Sequence, residues 1–185
     1  MRKKFLLPGG VCVLLLAALA IGLVLHPHSF DTAPEVTFRI IDGRQIALKN
    51  LRGRPILITF WATTCPTCLK EIPHLISLYK ELSGNGLEIV GVAMAYDPPN
   101  QVLDLATQWR VPYAIALDID GSVAHAFGDV TLTPTSLLIA PDCRIIAHTV
   151  GELDMEKLHT QISDLLMQSQ VTSNKLQGTN NDTGA

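Results

Sequence analysis

The sequence predicts one α/β domain, a mixed β-sheet covered by helices on both faces. Three observations point there. Between residues 55 and 127, short β-rich apolar runs alternate with stretches of helical periodicity, the pattern of a layered α/β sheet. Two further apolar runs flank Pro141-Asp142-Cys143 and so close the sheet with a hairpin. The 185 residues suffice for one domain with a substantial core and not for two comfortable ones.

The N-terminus reads differently from the rest. Arg2, Lys3 and Lys4 precede 21 uncharged residues, Phe5 to Leu25, enough to cross a bilayer as a helix. The basic residues keep the N-terminus cytoplasmic and send the remainder across. A cleaved signal peptide is the alternative, with Ala18-Leu19-Ala20 resembling a cleavage site. The apolar Ile-Gly-Leu-Val-Leu that follows makes a poor mature N-terminus, so residues 1–25 are expected to be an anchor. Cys12, without a usual lipobox before it, reads as a small apolar residue of that span. Either reading exports the domain into a compartment that permits disulfides.

Residues 26–34 (HPHSFDTAP) are polar, carry two prolines and lack periodicity, as a linker does. The domain itself is expected over residues 35–167. VTFRIIDGRQIALKNL alternates around Asp42-Gly43, a turn dipeptide, and predicts an N-terminal β-hairpin. PILITFWA is a buried strand leading straight to Cys65. Cys68, Ile72, Leu75, Ile76, Tyr79 and Leu82 recur at helical spacing, and Ser83-Gly84-Asn85-Gly86 ends that helix.

LEIVGVAMA (87–95) is a second buried strand, broken by Asp97-Pro98-Pro99-Asn100. Val102, Leu103, Leu105, Ala106 and Trp109 predict another helix, YAIALDI (113–119) a strand, and Gly121 to Phe127 a short helix. TSLLIA and RIIAHTVG form the closing hairpin. Asp154 caps a last helix ending near Met167, with Met155, Leu158, Ile162, Leu165 and Leu166 inward. From Gln168 to Ala185 the chain is polar, with too little apolar surface to fold.

The net charge is −3 with no basic stripe, which argues against a nucleic-acid partner. Among the four cysteines, Cys65 and Cys68 stand apart. At the end of a buried strand and the start of a helix, Cys65 meets unpaired N–H groups and partial positive charge, which favour a thiolate. Cys68, one turn on, lies near enough to close a disulfide. One sulfur can attack a partner's disulfide and the other resolve the mixed disulfide. Pro66 at the first helical position costs no hydrogen bond. Structural zinc would need four ligands, and one Cys-x-x-Cys supplies two. A peroxidase of the peroxiredoxin type would need Ser or Thr three residues before its cysteine, where Ala62 stands.

FWATTCPTCLKEIP resembles the active-site stretch of the TlpA/ResA-like branch of the thioredoxin superfamily, which comprises exported, membrane-anchored thiol-disulfide oxidoreductases and includes the reductases of cytochrome c maturation. The resemblance covers residues 35–167, with an insertion around 97–127. It implies a thioredoxin-like fold with a central mixed sheet, an N-terminal hairpin and a central insertion. It also implies a redox disulfide Cys65–Cys68, with Cys65 the exposed nucleophile and Cys68 the resolving thiol. Pro134 matches the cis-proline opposite the pair, and Thr133 offers backbone hydrogen bonds to a docked substrate. Glu71 matches an acidic residue that tunes the second cysteine, although an exposed helix carboxylate is the plainer reading. Trp61 packs beside the disulfide or is ordinary core, and Pro66 and Thr67 complete the site.

Three departures stand out. Thr64 replaces the Trp often found before the first cysteine, leaving a smaller and more polar recognition surface. Thr59 stands where thioredoxin has a buried Asp, so any internal base must be Glu71 or water. Cys143 occupies a turn position where Gly is commoner, and a neutral substitution, a free thiol and an intermolecular disulfide point remain open for it.

The expected activity is reduction of disulfides in exported proteins, apocytochrome c among them. Electrons would come from a membrane thiol donor. The domain would sit on the extracytoplasmic side of the bacterial inner membrane, without cofactor or metal. Two alternatives stay open: an oxidant running the same chemistry in reverse, and a copper(I) carrier using Cys65, Cys68 and His74, since soft thiolates suit copper(I). His125 and His148 are scattered elsewhere.

Overall fold

The computed structural model describes residues 32–179, and side chains through Gln170. All of these belong to the second of two units into which the chain divides, Asp31–Ala185. The expected anchor, Cys12 and most of the expected linker lie outside the described residues. Among the described residues no helix is long and apolar enough to cross a membrane.

Strands β1 (Thr37–Arg39) and β2 (Gln45–Ala47) pair antiparallel as the N-terminal hairpin. Gly43 takes φ 87° in its turn, a conformation open to glycine at little cost. A short 3-10 turn, Leu48–Leu51, leads to β3 (Ile56–Trp61), then helix α1 (Pro66–Leu82), β4 (Glu88–Ala93), α2 (Pro99–Gln108), β5 (Ala114–Leu117), α3 (Ser122–Ala126), β6 (Thr135–Ile139), β7 (Ile145–Val150) and α4 (Met155–Thr179).

The five main strands run in the order β5-β4-β3-β6-β7. β3, β4 and β5 are parallel, while β6 and β7 are antiparallel to their neighbours. β3 is central, and all six of its residues are buried. Successive side chains of a strand point to opposite faces, so β3 feeds two cores. Leu57 and Trp61 pack with α1, α2 and α4 through Leu75, Val102 and Ile162. Ile56, Ile58 and Phe60 pack with the hairpin and α3 through Phe38 and Phe127, and the Phe60 and Phe127 rings meet edge-on with centroids 5.8 Å apart. Burying a side chain such as Leu75 contributes about 1.5–3 kcal/mol.

Every expected strand and helix is present, with two corrections. First, α4 runs to Thr179, twelve residues past its expected end near Met167 (179 − 167), because no proline or glycine interrupts the chain before Gly178. Its start is as expected, with Asp154 Oδ1 accepting the Lys157 N–H at 3.0 Å. Second, α1 buries Glu71 and Leu78 along with Cys68, Ile72, Leu75 and Leu82, while Ile76 and Tyr79 lie at the border of the core. In α2, Val102 and Ala106 face the core and Leu103 is 46% exposed. The insertion supplies α2, the edge strand β5 and α3. The hairpin is joined to β5 through the Ile41 N–H, which donates to the Ile115 carbonyl at 2.9 Å.

Candidate active site

The site forms where β3 ends and α1 begins. Beyond Trp61 the chain turns at Thr63-Thr64, closed by the Cys65 N–H donating to the Ala62 carbonyl at 3.1 Å. Cys65 has extended backbone, φ −94° and ψ 106°, and serves as the N-cap of α1. Pro66 occupies the first helical position, where its missing N–H costs nothing.

Cys65 and Cys68 are joined by a disulfide with their Cα atoms 5.3 Å apart. The two sulfurs differ in environment: Cys68 is 2% exposed, whereas Cys65 is only half-buried. The Cys68 N–H donates to Cys65 Sγ at 3.2 Å. A donor and a helix N-terminus aimed at one sulfur both favour its thiolate form.

The antiparallel register brings the next group to the same end of the sheet. Phe60 pairs with Thr135, so Thr133-Pro134 lies level with the exit of β3, and the peptide bond between them is cis. The Pro134 carbonyl accepts the Gly151 N–H at 2.8 Å, while the Thr133 N–H and carbonyl have no partner among the described residues. Leu132, just before, is 63% exposed. Thr67 is half-buried and Pro66 exposed.

Glu71 follows Cys68 by three residues on the same face of α1, and it is 4% exposed. The reading of Glu71 as an exposed helix carboxylate is therefore overturned: the loop before α4 covers it. The Leu153 N–H donates to Glu71 Oε1 at 2.6 Å. Burial pushes Glu71 above the usual carboxylate range; the Leu153 bond opposes that, the Glu152 charge adds to it and His74 subtracts. Burial, and then the Glu71 charge, also push the Tyr113 phenol up. Tyr113 stacks edge-on with Tyr79, centroids 5.9 Å apart.

Trp61 is 3% exposed and packs in the same core cluster as Cys68. Its indole Nε1 is buried without a hydrogen-bond partner. Thr59, also buried, holds no ionisable group; its Oγ1 accepts the Ser136 hydroxyl at 3.0 Å. No base stands where thioredoxin has its buried Asp, which leaves Glu71 as the buried carboxylate on the helix that carries the pair.

His74 lies on the exposed side of α1, as do His125 on α3 and His148 on β7 on their own elements. Among the described residues no group of three or more His, Cys, Asp or Glu side chains is gathered to hold a metal ion. Cys143 sits half-exposed with a free thiol in the β6–β7 turn, at φ 71°.

One residue of this neighbourhood was read only as a strand breaker. Asp97, 5% exposed, accepts both the N–H and the hydroxyl of Thr63, two residues before Cys65. The available signal was topological: carboxyl ends of adjacent parallel strands gather at one edge, and Asp97 follows β4 as Thr63 follows β3.

A family model described as Redoxin matches residues 29–165. The thiol-disulfide oxidoreductase ResA of Bacillus cereus (strain ATCC 10987 / NRS 248) is 28% identical over 172 residues, covering 88% of this chain and 98% of the relative. ResA of Bacillus subtilis (strain 168) is 28% identical over 167 residues, covering 85% and 90%. The solution structure of a thioredoxin-type protein from Neisseria meningitidis superposes with a TM-score of 0.70 at 30% identity, covering 76% of this chain and 93% of that one. StoA from Bacillus subtilis, at 23% identity, shares the fold with a TM-score of 0.61, covering 70% and 97%. With a thioredoxin-like sheet, a strand-end disulfide at a helix N-terminus and matches of this extent, the chain belongs to the Redoxin family, as a ResA/TlpA-like member of the thioredoxin superfamily.

Proposed function

We propose that this thiol-disulfide oxidoreductase works as a reductant of disulfides in exported proteins, through Cys65 and Cys68. The observation that carries the reading is the asymmetry of the disulfide. Cys65 is half-buried and receives the Cys68 N–H, Cys68 is buried, and the Thr133 main chain, without a partner among the described residues, lies at the same edge of the sheet.

In the reduced enzyme the Cys65 thiolate attacks one sulfur of a substrate disulfide. A Cys65–substrate bond forms, the substrate S–S bond breaks, and its second sulfur leaves as a thiolate that takes a proton. Cys68 then loses its proton and attacks Cys65 Sγ, forming the Cys65–Cys68 bond and releasing the other substrate sulfur. The substrate gains two electrons and two protons, and a separate dithiol must return them to the enzyme. Glu71, buried one turn from Cys68 and with its proton affinity raised by burial, is placed to accept the Cys68 proton. Thr133 offers its N–H and carbonyl to the substrate main chain.

The setting is part of the proposal. The uncharged span from Phe5 to Leu25 behind three basic residues supports a single-pass anchor in the bacterial inner membrane with the domain on the extracytoplasmic side. Resemblance to the cytochrome c maturation reductases supports apocytochrome c as substrate and a membrane thiol transporter as electron donor.

The test uses the full-length chain in mild detergent and a peptide carrying an oxidised Cys-x-x-Cys-His motif, the haem-attachment sequence of c-type cytochromes. Reduced enzyme is expected to convert the peptide to the dithiol. Cys68→Ser is expected to accumulate a mixed disulfide through Cys65, and Cys65→Ser to give neither product nor adduct. An adduct formed by Cys65→Ser, or an intact peptide with the native chain, overturns the reading.

A further inference from the structure

We infer that Asp97 is a positioning residue for Cys65, its buried carboxylate clamping the turn that presents the reactive sulfur. The inference rests on Cys65 being the attacking thiol.

Asp97 belongs to the stretch between β4 and α2. Its Oδ2 accepts the Thr63 N–H at 2.6 Å and its Oδ1 accepts the Thr63 hydroxyl at 2.5 Å. Gln101 Oε1, in α2, lies 3.4 Å from the same hydroxyl. Asp97 is held in turn, because its N–H donates to the Met94 carbonyl at 2.9 Å and the Met94 N–H to the Trp61 carbonyl at 3.1 Å. A closed circuit results: Trp61 to Met94 to Asp97 to Thr63, and back along the chain to Trp61. Its side-chain link is the carboxylate.

Burying a carboxylate is costly unless its oxygens are bonded, and bonds to a carboxylate are short and strong. Both of these bonds are spent on one half-buried residue, Thr63, in the turn between β3 and α1. That turn ends at Cys65. On its far side Cys65 is held by α1, whose Leu69 N–H donates to the Cys65 carbonyl at 3.1 Å. When the Cys65–Cys68 bond opens, the disulfide no longer restrains Cys65, and the helix and the clamped turn are what fix its direction. Exchange requires the attacked sulfur to lie in line between two others, so loss of that direction is read as loss of rate.

The experiment measures single-turnover reduction of the same oxidised peptide by the pre-reduced full-length chain, with alkylation of Cys65 by iodoacetamide followed against pH. Asp97→Ala is expected to slow the reduction about tenfold, with no movement of the alkylation midpoint. Asp97→Asn is expected within about twofold of the native rate, because an amide can accept the Thr63 N–H and donate to its hydroxyl. A folded Asp97→Ala chain with native rate overturns the inference, and so does Asp97→Asn as slow as Asp97→Ala, which would make charge and not the clamp decisive. Should Asp97→Ala not fold, Thr63→Val and Thr63→Ser carry the test. A slower Val variant supports the clamp and equal rates overturn it. An inert native chain instead removes the reading of Cys65 beneath it.

Discussion

The Leu153 N–H donates to Glu71 Oε1 across 2.6 Å, tying the helix that carries both cysteines to the loop that opens the last helix. The bond satisfies one oxygen of a buried carboxylate without cancelling the cost of its charge, and burial is the largest influence on its proton affinity. Glu71 therefore holds its proton to a higher pH in the folded chain than in the unfolded one. Between those two pKa values the folded state binds more protons, so stability falls as pH rises through that window. Glu71→Gln keeps a carbonyl for Leu153 and carries no charge. It is expected to melt higher than the native chain at pH 7 and alike below about pH 4, the ordinary carboxylate range. An advantage independent of pH would contradict this origin.

Gly91 sits in β4 under Trp61. A Cβ there would lie 2.9 Å from Ile115 Cδ1, 3.2 Å from Trp61 Nε1 and 3.4 Å from the Tyr113 ring. Overpacking of this kind costs about 1–3 kcal/mol. Gly91→Ala is expected to lose stability in that range in denaturant titration, with a shift in Trp61 fluorescence. A loss below about 0.5 kcal/mol would mean that Ile115 can yield.

Thr59 and Ser136 satisfy one another across β3 and β6. Removing one hydroxyl strands the other in the core, at about 1–3 kcal/mol. Thr59→Val and Ser136→Ala are each expected to destabilise, and the double variant by less than their sum. Strict additivity in chemical denaturation would deny the coupling.

Cys143 takes φ 71°, where a side chain costs about 1 kcal/mol. The turn's main-chain bonds, the Cys143 N–H to the Ala140 carbonyl and the Ala33 N–H to the Cys143 carbonyl, do not need the thiol. Cys143→Gly is expected to gain about 0.5–1 kcal/mol, less what the freer unfolded chain takes back, and to leave the exchange rate unchanged. Slower exchange would give Cys143 a part in the reaction.

Order and type of the elements were legible because the helices carry a three-to-four-residue periodicity, the central strands are β-rich apolar runs, and Gly, Pro and Asn mark most of the bounds between them. The cysteine pair was legible because strand end, Cys-Pro-x-Cys and helix start are contiguous. What escaped depends on distant parts of the chain. Burial of Glu71 comes from Leu153, and the Asp97–Thr63 clamp joins residues 34 apart in sequence. The end of α4 is not legible in the polar composition after Met167, because Gln, Ser and Lys extend a helix that has already been nucleated.

The most direct test of the central claim is redox titration of Cys65/Cys68 in the full-length chain, with Cys143 changed to Ser, against a dithiothreitol or glutathione buffer. A two-electron transition below about −220 mV, absent from Cys65→Ser, is the predicted result and places the pair among reducing thioredoxins. A midpoint near about −120 mV, the range of a strong oxidant, would contradict it.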